Sequence, residues 1–261
     1  MPMLRLSLIT LMVAGAATQS HAESAAPSAP RAATKAGAVK PRHSTTFTVR
    51  IENVSTPMTL RSAAGATAPA PNSPGVWIVH AGEAVVFAAG KPDRGKGLET
   101  QAEDGNPGPL SRSVQGAKSV VASGVFDTPV GDDRPGPALP GKSYEFTFEA
   151  RPGQRLTVAS MFGQSNDLFF APDPSGIALF ASGKPVSGDI TSRFRLWDAG
   201  TEVNQEPGFG PDQAPRQAAP NTGASEHEPV RRIESVHDGF TYPPVAQVIR
   251  VTITPAAVSM R

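Results

Sequence analysis

The sequence predicts an all-β fold, an antiparallel β-sandwich of about eight strands joined by long Pro/Gly-rich loops. Three observations predict it. Several short segments alternate apolar and polar residues with a period of two, the pattern of strands buried on one face. The 261 residues include 27 prolines and 25 glycines, which punctuate the chain into short pieces. No helical periodicity long enough for a crossover connection separates the strand-like runs, so neighbouring strands are expected to be antiparallel.

The first 22 residues carry the parts of a secretory signal. Arg5 precedes the apolar run LSLITLMVAGAA, and Ser20-His21-Ala22 supplies a small-x-small cleavage site. The run is short for a membrane span of about 20 residues, and nothing later is apolar for long enough to replace it. The expectation is a secreted or periplasmic product with no transmembrane segment after cleavage. Residues 23–44, ESAAPSAPRAATKAGAVKPRHS, are rich in Ala, Pro, Ser and Lys without apolar periodicity, and read as a disordered linker.

The domain is expected over residues 45–256, with a tail at 257–261. TFTVRIENV sets Phe47, Val49 and Ile51 on one face against Thr48, Arg50 and Glu52, and reads as the first strand. GVWIVHAGEAVVFAAG contains two apolar runs joined at Ala81-Gly82, consistent with a hairpin. Residues 91–113 read as a long surface loop with at most a helical turn over 98–103. KSVVASGVFDTP follows as a strand. KSYEFTFEARPGQRLTVASMF then places Arg151-Pro152-Gly153-Gln154 between alternating flanks, a pattern that predicts a hairpin. Further strands are expected at 168–170, 177–180, 194–197 and 245–254.

There is no cysteine, which excludes disulfides and thiolate metal sites. Formal net charge is +1, and removal of residues 1–22, with Arg5 and no acid, leaves 0. That balance carries no nucleic-acid or anionic-membrane footprint.

RFRLWDAGTEV is the most informative stretch. An apolar run ends in Asp198 and Glu202, which on a straight strand would lie about 13 Å apart at about 3.3 Å per residue. Oxygens sharing one calcium ion each sit about 2.3–2.6 Å from it, so the chain has to turn for these carboxylates to meet. Gly200 allows the turn, because without a Cβ it takes positive φ at little steric cost.

FEARPGQRLTVASMFGQSNDLFFAP, LWDAGTEV and DGFTYPPVAQVIRVTI occur in this order. With them the chain resembles the spondin N-terminal domain family, the module of F-spondin and mindin and of exported bacterial proteins. The similarity runs over about residues 45–255. It rests on Ser165-x-Asp167, Asp198-Ala-Gly-Thr-Glu202 and Phe240-x-Tyr242-Pro243. The resemblance implies a C2-like sandwich with a calcium ion held at one end, and it makes Asp167, Asp198 and Glu202 the ligand set. Glu202 replaces the family's usual Asp, and the cysteines of the animal members are missing. Calcium takes six to eight oxygens, so Asn204 or Glu206 are candidates for a further ligand.

Other chemistry finds little support in the sequence. Glu99, Glu103 and Asp104 read as a solvated loop. His80, His227 and His237 show no HExxH or close pair, and no GxSxG elbow accompanies the serines. Trp77 and Trp197 lie in apolar strands and read as core residues. The expected function is a calcium-binding module for an extracellular or envelope protein or glycan, and not an enzyme. The alternatives are an exported hydrolase or a carbohydrate-binding protein using the same acidic end.

Overall fold

A computed structural model describes residues 44–256. The expected signal at 1–22, the linker up to residue 43 and the tail at 257–261 lie outside the described residues. Eight strands of five or more residues form the domain: β1 (Thr45–Asn53), β2 (Asn72–His80), β3 (Val120–Phe126), β4 (Ser143–Ala150), β5 (Arg155–Phe162), β6 (Leu168–Pro172), β7 (Phe194–Asp198) and β8 (Ile249–Pro255). Pairing is antiparallel throughout. One sheet has the order Gly188–Asp189, β8, β1, β4. The other runs Arg231–Arg232, β7, β6, β5, β2, β3, with Ile177–Ala178 also against β5.

The period-two pattern of β1 does what its sequence predicts. Phe47, Val49 and Ile51 are buried, and the residues between them are half-buried. Ile51 sits in register with Val251 on one side and Tyr144 on the other, so one apolar row crosses three strands. This row faces Val158, Phe170 and Leu196 of the second sheet. Trp77 stacks on Phe146 across the gap, with ring centroids 5.8 Å apart and planes 3° from parallel. Each such apolar side chain taken from water stabilises the fold by about 1.5–3 kcal/mol. Gly124 is needed for the fit: a Cβ there would lie 2.7 Å from the Trp77 indole.

The central strands of the second sheet, β2, β5, β6 and β7, are buried on both faces, which their sequence signals by continuous apolar runs instead of alternation. Val76, Ile78, Phe169 and Trp197 point away from the first sheet into a second core. That core is closed by the segment between β2 and β3, which corrects the expected surface loop at 91–113. The segment folds into α1 (Leu98–Asp104) and α2 (Gly108–Val114), and Leu98, Ala102, Leu110 and Val114 are buried. The expected hairpin at Ala81-Gly82 is corrected too. The second apolar run forms no strand; instead Phe87 meets Trp197 edge-on at 4.8 Å and Phe169 at 5.2 Å, while β2 pairs with β3 and β5.

At Arg151-Pro152-Gly153-Gln154 the turn forms, but not as a hairpin. The Gln154 N–H donates to the Arg151 carbonyl at 3.0 Å, and the Arg151 N–H donates to Gln154 Oε1 at 2.7 Å. β4 pairs with β1 and β5 with β2, so the turn arches from one sheet to the other. An arch lets Phe146 and Phe148 face Val158 across the core, whereas a hairpin would set them side by side. Two expected strands are shorter or later than predicted. Residues 177–180 give the two-residue strand Ile177–Ala178, with Phe180–Ala181 pairing separately with Lys184–Pro185. The last strand begins only at Ile249, after the 3₁₀ turn Val245–Gln247. Among the described residues no helix is long and apolar enough to cross a membrane.

Candidate metal centre

Strands β5, β6 and β7 lie side by side, and at one end of them the chain makes two turns. The first, residues 163–167, joins β5 to β6. Ser165 Oγ donates to the Phe162 carbonyl at 2.6 Å and accepts the Leu168 N–H at 3.1 Å, which fixes Asp167 at the mouth of β6. The second turn follows Asp198, the last residue of β7 and the register partner of Leu168 and Arg231.

Gly200 makes that second turn possible. Its φ is +71°, and a Cβ would come within 2.3 Å of the Glu228 carbonyl. Its N–H donates to Asp198 Oδ1 at 2.7 Å. Beyond it the chain runs antiparallel to residues 224–228. The Val203 N–H reaches the Ala224 carbonyl at 2.8 Å, the Glu226 N–H reaches the Thr201 carbonyl at 2.8 Å, and the Glu228 N–H reaches the Gly200 carbonyl at 3.0 Å. This pairing carries Glu226 to the turn.

Asp167 and Asp198 meet as expected from the sequence, and the third carboxylate that joins them is Glu226. One oxygen from each lies within 4.8 Å of the other two. Glu202 turns back toward the same place through its backbone: the N–H groups of Thr201 and Glu202 donate to Asp167 Oδ2 at 2.7 and 3.2 Å. With its main chain committed there, the Glu202 carboxylate leads off to the Gly223 N–H at 3.0 Å and Asn166 Nδ2 at 3.4 Å. Asn204 touches the centre as a donor, from Nδ2 to Asp198 Oδ2 at 2.9 Å. Glu206 accepts the Ala63 N–H at 2.6 Å instead.

The electrostatics are demanding. Asp167 is fully buried, and its Oδ1 has no hydrogen-bond partner among the described residues. Burial, with the Asp198 charge beside it, pushes its carboxyl well above the usual range. Asp198 is also raised by burial, against the pull of Arg231. Arg231 Nη2 lies 3.3 Å from Asp198 and 3.0 Å from Glu226, and Nη1 lies 3.2 Å from Glu228. One guanidinium therefore faces three clustered carboxylates.

The spacing of these oxygens is compatible with a shared metal ion. Two oxygens on opposite sides of one calcium ion are about 4.6–5.2 Å apart, twice the usual bond length. The donors are all oxygens, and Asp167 Oδ1 is left without a hydrogen-bond partner among the described residues. Asp167, Asp198 and Glu226 can thus hold a metal ion.

Two participants escape a reading of the sequence. Glu226 lies in the loop ASEHEP, 59 residues after Asp167, where nothing in its surroundings marks it. Glu103, expected in a solvated loop, is buried on α1. Its Oε1 has no hydrogen-bond partner among the described residues, and burial pushes its pKa up to about 8. Both arrive through tertiary pairing, one by a loop and one by a helix. The remaining candidates are structural: Trp197 is buried with its Nε1 donating to the Ala171 carbonyl at 3.2 Å, and His80 is buried on β2 against Thr157 Oγ1 at 2.9 Å. No protein-family model matches this chain, and no curated protein matches it either.

Proposed function

We propose that the chain is an exported, calcium-binding β-sandwich module of the spondin-like kind, acting in extracellular or cell-surface binding or adhesion and not in catalysis. The observation that carries this reading is the buried, unpartnered Asp167 Oδ1 beside the carboxylates of Asp198 and Glu226. An ion there offsets repulsion that Arg231 alone only partly offsets. It also ties three loops together, residues 163–167, 199–204 and 224–231, and so holds one end of the sandwich in a single shape for a partner. Calcium suits an all-oxygen donor set better than a transition metal does. Export, read from residues 1–22, supplies it at concentrations that fill even weak sites of about 10⁻⁴–10⁻³ M. The partner is an extracellular or envelope protein or glycan. The complete burial of Asp167 and Asp198 favours a structural role over acid-base catalysis, which needs a substrate bond within reach.

Thermal melts in calcium and in chelator test the reading. Calcium is expected to raise the melting temperature of the wild type by several degrees, as a ligand at about 100 times its Kd stabilises by about 2.7 kcal/mol. In Asp198→Asn the difference is expected to vanish. Identical wild-type melts would leave Asp167 and Asp198 as a proton-sharing pair and remove the ion. A glycan and envelope-protein binding screen with and without calcium then tests the adhesive role.

A further inference from the structure

The opposite end of β5, β6 and β7 carries a cleft of different chemistry. Its volume is about 480 Å³, and the charged residues lining it are Arg155, Arg193 and Arg195 with Asp173 and Asp189. A ligand pocket usually measures about 300–1,000 Å³. The three arginines come from separate places: Arg155 opens β5, Arg195 lies in β7, and Arg193 ends the 3₁₀ turn Thr191–Arg193.

Two of these guanidinium groups are held by backbone oxygens and not by carboxylates. Arg155 donates from Nε to the Ser175 carbonyl and from Nη2 to the Gly176 carbonyl. Arg195 Nη1 donates to the carbonyls of Ser192 and Phe194 at 2.7 and 2.8 Å. Carbonyls orient an arginine without neutralising it, so each keeps its full charge and its remaining N–H donors. Arg193 is exposed, with no carboxylate within ion-pair distance among the described residues.

The two acids in the cleft offset this only in part, since Asp173 is paired elsewhere and Asp189 is one charge against three. Asp173 is engaged by Arg232 at 2.6 Å, and Asp189 caps the 3₁₀ turn by accepting the Thr191 N–H at 2.8 Å. Three arginine forks around one cleft, two of them pre-oriented, match a tetrahedral oxyanion, which offers three free oxygens when singly esterified.

We propose that this cleft binds the phosphate or sulfate group of a monoester ligand. The site is separate from the acidic centre and does not depend on the reading of that centre. Isothermal titration of the full mature chain in calcium-free buffer with chelator tests it, using glucose 6-phosphate and glucose 6-sulfate as probes. Saturable binding of either ester supports the cleft, and the tighter of the two identifies the group it prefers. Arg193→Ala is expected to weaken binding at least about fivefold, because it removes one charged hydrogen-bonding partner. Arg155→Lys, which keeps the charge but loses the fork, should weaken it as well. Arg61→Ala, an exposed arginine outside the cleft, should leave it unchanged. No saturable heat with either ester up to 20-fold above about 1 mM, or equal loss in Arg61→Ala and Arg193→Ala, would overturn the proposal.

Discussion

The acidic and basic ends of β5, β6 and β7 differ in how their charges are satisfied. At the acidic end Asp167 and Asp198 are buried, and the donors that approach them are backbone N–H groups, the Thr201 hydroxyl, one amide and one guanidinium. At the basic end Arg155 and Arg195 are half-buried and rest on backbone carbonyls beside an open cleft. Water screens the arginines, so their mutual repulsion needs no further remedy. It cannot reach the carboxylates, whose charge then has to be met by a proton, an ion or Arg231. The same strands thus present one end whose charges support structure and one whose charges are available to a ligand.

The largest effect that would break this contrast is expected at Gly200. Gly200→Ala places a Cβ within 2.3 Å of the Glu228 carbonyl at a φ of +71°. It should cost about 3 kcal/mol or more in urea unfolding, through strain and loss of the 201–203 pairing. A loss below about 1 kcal/mol would show that the turn does not hold the acidic end together.

The calcium effect comes next, and its pH dependence sharpens the comparison. The folded-state pKa of Asp167 is raised, so the folded protein holds this proton to higher pH than the unfolded chain does. Without metal, stability therefore falls as pH rises through that interval, because the charged form is penalised only in the fold. An ion binds the deprotonated form. The calcium-induced rise in melting temperature should be larger at pH 8 than at pH 5, and a flat dependence would place the ion elsewhere.

Glu103 should give a smaller effect of the same sign. Its pKa rises from the ordinary 4.5 to about 8. The unfolded chain ionises it from about pH 4.5 upward, while the folded protein keeps it neutral until about pH 8. Stability is lost across that window as pH rises. Glu103→Gln should melt at least about 3 °C higher than wild type at pH 8 and close to it at pH 5. Equal melts at both pH values would mean that the buried carboxyl is not strained.

The smallest stability effect is expected at the basic end. Arg193→Ala should leave unfolding within about 0.5 kcal/mol of wild type, even as it weakens oxyanion binding. A large destabilisation there would erase the distinction between the two ends.

How much of this was legible depended on how local the cause was. The alternation in TFTVRIENV gives the buried face of β1 directly, because a strand's period belongs to the strand. The positive φ of Gly200 was legible for the same reason, and Asp167 and Asp198 came from motifs around the two turns. The Arg151-Gln154 turn was visible as a turn, but not as an arch between sheets. A short turn between apolar strands has the same local chemistry in both, and only the choice of partners separates them. Leu98 and Leu110 were hidden in Pro/Gly punctuation, since their burial depends on a sheet face left open by β2, β5, β6 and β7.

By itself, the sequence determined the all-β class, the positions of most strands, the turn at Gly200 and two carboxylates of the acidic centre. The first three follow from side-chain periodicity and backbone sterics, which act over a few residues, and the two carboxylates follow from the resemblance carried by the motifs around them. The tertiary structure alone decided the sheet order, the second core beneath α1 and α2, and the substitution of the Glu226 carboxylate for that of Glu202 in the cluster. It also decided the gathering of three arginines at the far end. Each of those depends on which distant segments share a face, and that is set by burial of the whole apolar surface at once.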